Sequence, residues 1–201
     1  QHKELNQALY RIGEASYLLD DYPAAETELA EFLRKAPTDP LAERALPYLG
    51  DTTLRLNKPD VAAKHFQAAL EKFPQGALTE EARFGLARSF EALKKPQDAL
   101  PLYQQLAANP KGSRAAEAQL NLGSAQFDLG NFAAAADSYL KLIQQHPTSP
   151  FVPSAHLNLG FSRYQLKQYR EAVQQFDLAG KTARHAPDAV FWTGLSLKKL
   201  G

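Results

Sequence analysis

Neither cysteine nor methionine occurs anywhere in the 201-residue chain. Without cysteine there is no disulfide and no thiolate metal site, and reducing and oxidising compartments both stay open. With no Met at residue 1, the chain reads as a mature product or an excised segment, any targeting sequence lying upstream. An excess of one charge sign is lacking too: 23 Lys and Arg face 22 Asp and Glu, a formal net charge of +1. Nucleic acid or an anionic membrane surface would favour a strong basic excess, so neither is expected as a partner. No apolar run approaches the roughly 18 residues of a membrane span, so direct membrane insertion is not expected. No stretch has the pattern of a signal peptide. There is no glycine-rich phosphate loop, and no alternating β-branched run or Asn-Gly hairpin turn competes for strand. The histidines His2, His65, His146, His156 and His185 are scattered. His146 and His156 span a proline loop at no metal-ligand spacing. Glu80-Glu81, Asp20-Asp21 and Lys198-Lys199 read as solvated helix surface or helix ends. No nucleophile stands beside a base, so the chain reads as non-enzymatic, with no catalytic, cofactor-binding or metal-binding residue.

What is present is a repeat. Ile12-Gly13, Leu49-Gly50, Leu86-Ala87, Leu122-Gly123, Leu159-Gly160 and Thr193-Gly194 follow one another at 37, 37, 36, 37 and 34 residues. A period in the thirties marks a stack of similar units that bury a continuous seam between neighbours. Five residues before each centre stands alanine (Ala8, Ala45, Ala82, Ala118, Ala155, Ala189), and six after it leucine (Leu19, Leu56, Leu93, Leu129, Leu166, Leu200). Two after it the side chain is small: Ala15, Thr52, Ser89, Ala125, Ser162 and Ser196. With the apolar residue before the glycine, these columns form one helical stripe, and its small members let another helix approach closely.

A second helix follows in each unit, opening near Tyr22-Pro23, Lys58-Pro59, Lys95-Pro96, Asn131-Phe132 and Gln168-Tyr169. Its buried face repeats an alanine (Ala25, Ala62, Ala99, Ala135, Ala172) and, four on, a large apolar residue (Leu29, Phe66, Tyr103, Tyr139, Phe176). Pro37, Pro74, Pro110 and Pro147 stop the helices before them. Thr38-Asp39-Pro40 and Thr148-Ser149-Pro150 are expected to give the next helix an N-cap and a first-turn proline. Pro47 and Pro101 fall inside helical patterns, as a tolerated bend or as a hinge.

These columns resemble the tetratricopeptide repeat. The fifth unit carries the motif most fully, from Leu159-Gly160-Phe161 through Tyr164 and Tyr169 to Ala172 and Phe176, and the fourth ends on Tyr139 and Pro147. The resemblance covers the whole chain. It implies an all-α fold: an α-solenoid of antiparallel helix pairs, wound as a right-handed superhelix of about 11 helices. The expected organisation is a single array over 1–201, with repeats near 3–37, 38–74, 75–110, 111–147 and 148–186 and the first helix of a sixth over 187–201. The loop His146-Pro147-Thr148-Ser149-Pro150, followed by Ala155 and Leu159-Gly160, resembles a bacterial cell-envelope branch. That branch includes the Tol–Pal-associated periplasmic coordinator and outer-membrane assembly lipoproteins. It implies the periplasm or cell envelope, with the cytoplasm as the alternative.

Members of the family bind other proteins, commonly an extended peptide or a helix, in a concave surface lined by the first helices. The resemblance therefore implies a protein–protein interaction scaffold; the alternative is a structural spacer or oligomerisation module of a larger protein. Carried onto this chain, the surface takes one column three residues before the centre (Tyr10, Pro47, Phe84, Leu120, Leu157, Phe191). It takes another four after it (Tyr17, Leu54, Glu91, Phe127, Tyr164, Lys198). The candidate partner-binding residues are Tyr10, Tyr17, Phe84, Asn121, Phe127, Asn158, Tyr164 and Phe191. Each aromatic either packs on its neighbouring helix or presents rigid contact area to a partner. Asn121 and Asn158, at equivalent places, either bond a peptide backbone or face water. The Lys–Asn pair with which chaperone-docking members grip a terminal carboxylate is absent from the matching columns. The last helix, Asp188 to Leu200, is apolar on more than one side. An array capped there would turn a polar face outward, so either more chain follows or the terminal helices self-associate.

Overall fold

The computed structural model describes the backbone from residue 2 and the side chains from residue 4, up to Gly201; the His2 side chain lies outside the described residues. Among the described residues there are eleven α-helices and no strand. They are α1 (His2–Leu18), α2 (Tyr22–Lys35), α3 (Ala42–Arg55), α4 (Pro59–Lys72), α5 (Thr79–Ala92), α6 (Pro96–Ala107), α7 (Ala115–Asp128), α8 (Phe132–Gln145), α9 (Val152–Gln165), α10 (Tyr169–Ala179) and α11 (Ala186–Leu200). None is long and apolar enough to cross a membrane. The chain divides into two compact units, Gln1–Leu102 and Tyr103–Gly201.

The turn inside each helix pair is the same device five times. Asp20, Asn57, Lys94, Gly130 and Lys167 each adopt the left-handed conformation, with φ of 60, 58, 60, 78 and 61°. At each, the following N–H reaches back five residues while its own reaches back three, as in Lys95 to Phe90 and Lys94 to Glu91. This double closure is the Schellman motif, which satisfies the helix's last carbonyls. Only Gly130 adopts it free of the Cβ penalty.

Three of the second helices end where proline dictates. Ala36, Phe73 and His146 hold φ of −134, −130 and −130°, outside the helical region that the next residue's ring disfavours. The following helices start later than the loop sequences imply. α3 begins at Ala42 and α9 at Val152, so Asp39 and Ser149 do not cap them. Instead their side chains accept from the N–H two residues on, Leu41 at 2.9 Å and Phe151 at 3.2 Å, which shapes the approach turn. α3 runs through Pro47 and α6 through Pro101 without ending.

The core is a ring pressed against bare backbone. A Cβ placed on Gly50 would fall 2.7 Å from the Phe66 ring, on Gly123 2.5 Å from the Tyr139 ring, and on Gly160 2.5 Å from that of Phe176. Those approaches are closer than carbon atoms tolerate, so the glycine column is a steric demand of the second helix. In the first unit, Tyr10, Ala25, Leu29 and Phe32 pack with Ala42, Ala45 and Leu49, joining α1 and α2 to α3. In the second unit, Tyr139 and Leu142 pack with Ala155 and Leu159, and Phe176 and Ala179 pack with Leu157 and Ala189. From the second pair onward the small column lies in these seams. Ser89, Ser162 and Ser196 are buried and return their hydroxyls to the carbonyls of Gly85, Asn158 and Trp192 on their own helices.

Candidate functional site

Helical geometry puts the two candidate columns on different faces. Residues three before the centre turn inward. Tyr10 and Phe84 are buried, Tyr10 wholly so beneath Phe32 at 5.6 Å between ring centroids. Neither presents a surface to a partner: both rings fill core that the closely packed helices leave no other way to occupy. Phe191, in the same column of α11, is 60% exposed. Tyr17, Phe127 and Tyr164, four after the centre, are all half-buried.

In the first unit this face is a closed polar network. The Tyr17 hydroxyl donates to Asp51 Oδ2 at 2.9 Å, and Arg55 Nε donates to the same oxygen at 2.8 Å. Tyr17 stacks on Tyr48 at 4.9 Å and meets the edge of Tyr22, whose own ring carries the Arg55 guanidinium at 5.3 Å. Burial first, then the Asp51 carboxylate, raise the Tyr17 pKa above the ordinary phenol value. At Tyr10 the hydroxyl donates to Glu14 at 2.6 Å, and Arg11 closes the other carboxylate oxygen. Burial disfavours the Glu14 carboxylate, but these two hydrogen bonds more than offset it, and its pKa is lowered.

In the second unit the face is aromatic. Phe127 meets Phe132 edge-on at 5.0 Å. Tyr164 meets Tyr169 at 5.3 Å and Trp192 at 5.2 Å, and Trp192 also contacts Phe161 and Phe191. A cavity of about 200 Å³ opens among Ser124, Phe127, Asp128, Tyr139, Asn158 and Phe161. Phe127 and Asn158 thus share one site, and Tyr164 and Phe191 share contact with Trp192. Each candidate asparagine stands by a tyrosine: Asn121 Nδ2 donates to the Tyr103 hydroxyl at 3.5 Å, and Asn158 lines the cavity with Tyr139. Burial pushes the Tyr139 pKa up to about 12, against the pull of the hydrogen bonds with Ser124 and Asn158.

The partner-binding candidates read from the sequence do not include Tyr48, Asp51 and Arg55 in the first unit, nor Tyr139, Phe161 and Asp128 in the second. A signal for some of them was there. The column two before the centre reads Arg11, Tyr48, Gly85, Asn121, Asn158 and Trp192. It answers the large residue of the preceding second helix. Phe66 faces Gly85, where a Cβ would lie 2.2 Å from its ring, and Tyr103 and Tyr139 face the two asparagines.

Tetratricopeptide repeat profiles match residues 49–113, 84–150 and 120–187, and a further one matches 7–39. The chain belongs to the tetratricopeptide repeat family. No curated protein sequence matches it. Among solved structures, a tetratricopeptide repeat protein from Parabacteroides merdae is 22% identical with a TM-score of 0.77, over 97% of this chain and 76% of that one. The MamA protein is 21% identical with a TM-score of 0.76, over 89% and 92% of the two chains. A MamA AMB-1 structure is 20% identical with a TM-score of 0.74, over 90% and 93%. These likenesses establish the helical-repeat fold. Tetratricopeptide repeat proteins as a class are protein-interaction scaffolds that present extended binding surfaces, and are generally non-enzymatic.

Proposed function

We propose that this tetratricopeptide repeat protein binds a peptide or helix of a partner protein along the first-helix faces. The carrying observation is the aromatic surface of the second unit, where half-buried Phe127 lines an open cavity and half-buried Tyr164 meets the rings of Tyr169 and Trp192. Large rings held by their neighbours lose little entropy on binding and recur in binding hot spots. The site-specific test is a photo-crosslinking residue at 127 or 164, with exposed Gln144 on α8 as the control position. Protein adducts at 127 and 164, absent at 144 and, with the probe at 127, lost when Tyr17 and Tyr164 are changed together to Ala, support the reading. Equal labelling at all three positions sinks it.

A second reading, a self-associating structural module, draws on the end helices. Leu5, Ile12 and Leu19 on and beside α1, and Val190, Phe191 and Leu197 on α11, are each more than half exposed. The equivalents of the α1 stripe in the next pair, Ala42 and Leu49, are buried against α2. Sedimentation at rising concentration tests it, and a single monomeric species throughout argues against it. Placement in the cell envelope rests on the His146–Pro150 loop resemblance alone, and fractionation of cells making the full gene product tests it.

A further inference from the structure

The cavity in the second unit has a chemistry of its own. Its polar groups form a chain with one direction. The Tyr139 hydroxyl lies 3.3 Å from Ser124 Oγ, and Ser124 in turn donates to the Leu120 carbonyl at 3.2 Å. With the tyrosine donating to the serine, the Ser124 hydroxyl both gives and accepts. Asn158 lines the same cavity, and its carbonyl oxygen is an acceptor there. Phe127 and Phe161 supply apolar walls.

The remaining lining group is Asp128, and its position is unusual. It is the last residue of α7, where the helix dipole disfavours a carboxylate. The same column elsewhere reads Leu18, Arg55, Ala92, Gln165 and Lys199, never an acid. Asp51, the acid beside this face in the first unit, is matched by Arg55. No cation is paired with Asp128 among the described residues. A carboxylate and an amide oxygen between two phenyl rings form a receptor for a flat cation. At about 200 Å³ the space falls below the roughly 300 Å³ at which small-molecule pockets begin, and suits one side chain.

We propose that this cavity receives an arginine side chain of the bound protein segment, its guanidinium paired with Asp128 and Asn158 and lying against Phe127 and Phe161. The proposal rests on the reading of this face as a peptide-binding surface. It specifies one contact that the surface makes.

The test is an NMR titration of the whole chain with acetyl-Ala-Arg-Ala-amide and with its citrulline counterpart, the neutral isostere. The arginine peptide is expected to shift the Asn158 side-chain amide and the Phe127 and Phe161 ring signals. Citrulline, or Asp128→Asn, should weaken this about tenfold or more, as expected for losing a charged hydrogen bond, and added salt should weaken it too. Asp128→Asn should leave the fold's spectrum otherwise unchanged. Equal binding of arginine and citrulline, indifference to Asp128→Asn, or no shift at 20 mM peptide overturns the proposal. Crosslinks at 127 that persist in Asp128→Asn keep the peptide-binding face and reject the arginine pocket. Arginine binding with no crosslinked partner does the reverse.

Discussion

The two units share a skeleton and differ in how their first-helix faces treat charge. In the first, Asp51 is claimed by Tyr17 and Arg55, and Glu14 by Tyr10 and Arg11. In the second, the Ser124 and Tyr139 hydroxyls bond one another, and among the described residues Asp128 has no paired cation. A carboxylate answered inside the molecule adds modest stability and rigidity. One left unanswered contributes little to the fold and is available to a partner. A shared backbone plan can therefore carry a finished surface in one half and a receptive one in the other.

The largest expected effects probe the common skeleton. Gly50→Ala in the first unit and Gly123→Ala in the second each drive a methyl into a buried ring, and each should cost about 1–3 kcal/mol in chemical denaturation. Gly194→Ala, with nothing within 4 Å of the added carbon, should be neutral or gain up to about 1 kcal/mol from helix propensity. A serious loss at Gly194, or a harmless change at Gly123, breaks the shared plan.

The next effect separates the faces. Asp51→Ala should destabilise by about 1–2 kcal/mol, because a half-buried tyrosine hydroxyl and an arginine lose their partner together. Asp128→Ala should stay within about 0.5 kcal/mol in the same melt, as an exposed position does. Equal losses would erase the contrast.

Tyr17 adds a pH signature. Its pKa is raised in the folded state by burial and by Asp51, whereas unfolded tyrosine ionises near about 10. The folded form then holds the proton more tightly. That stabilisation is complete below about pH 10 and is lost as the pH rises through the folded value. Tyr17→Phe should flatten part of the alkaline decline in a melt series from pH 9 upward. An unchanged slope counts against the buried network.

The smallest effect concerns the turns. Lys94→Gly and Lys167→Gly, one in each unit, relieve a left-handed residue and should each stabilise by about 0.5–1 kcal/mol. A loss at either would mean that the lysine makes a contact outweighing its strain.

Much of this was legible in the sequence because sterics dictate residue type. A ring leans on Gly50, Gly123 and Gly160, so these three announced both helices of their pairs. The exception at Ala87 kept the register but not the glycine. Helix starts were less legible. Asp39 and Ser149 suit an N-cap and an approach turn equally, and only the backbone path chooses. The faces were the hardest part. Tyr10 and Tyr17 sit on one helix with the same side-chain type, and a seven-residue step separates core from half-open surface. Asp128 carried no signal in the sequence because its setting comes from α8 and α9, further along the chain.

The ring-on-glycine contact also sets mechanical compliance. Where the spacer is a flat aromatic, the distance between paired helices is fixed by ring thickness and cannot be squeezed. Against Gly13 the spacer is Leu29, which approaches through branched aliphatic atoms that can swing between rotamers. The α1–α2 pair is accordingly the soft spring of the first unit. Amide exchange in α1 should outpace that in α3, which leans on the stiff ring of Phe66.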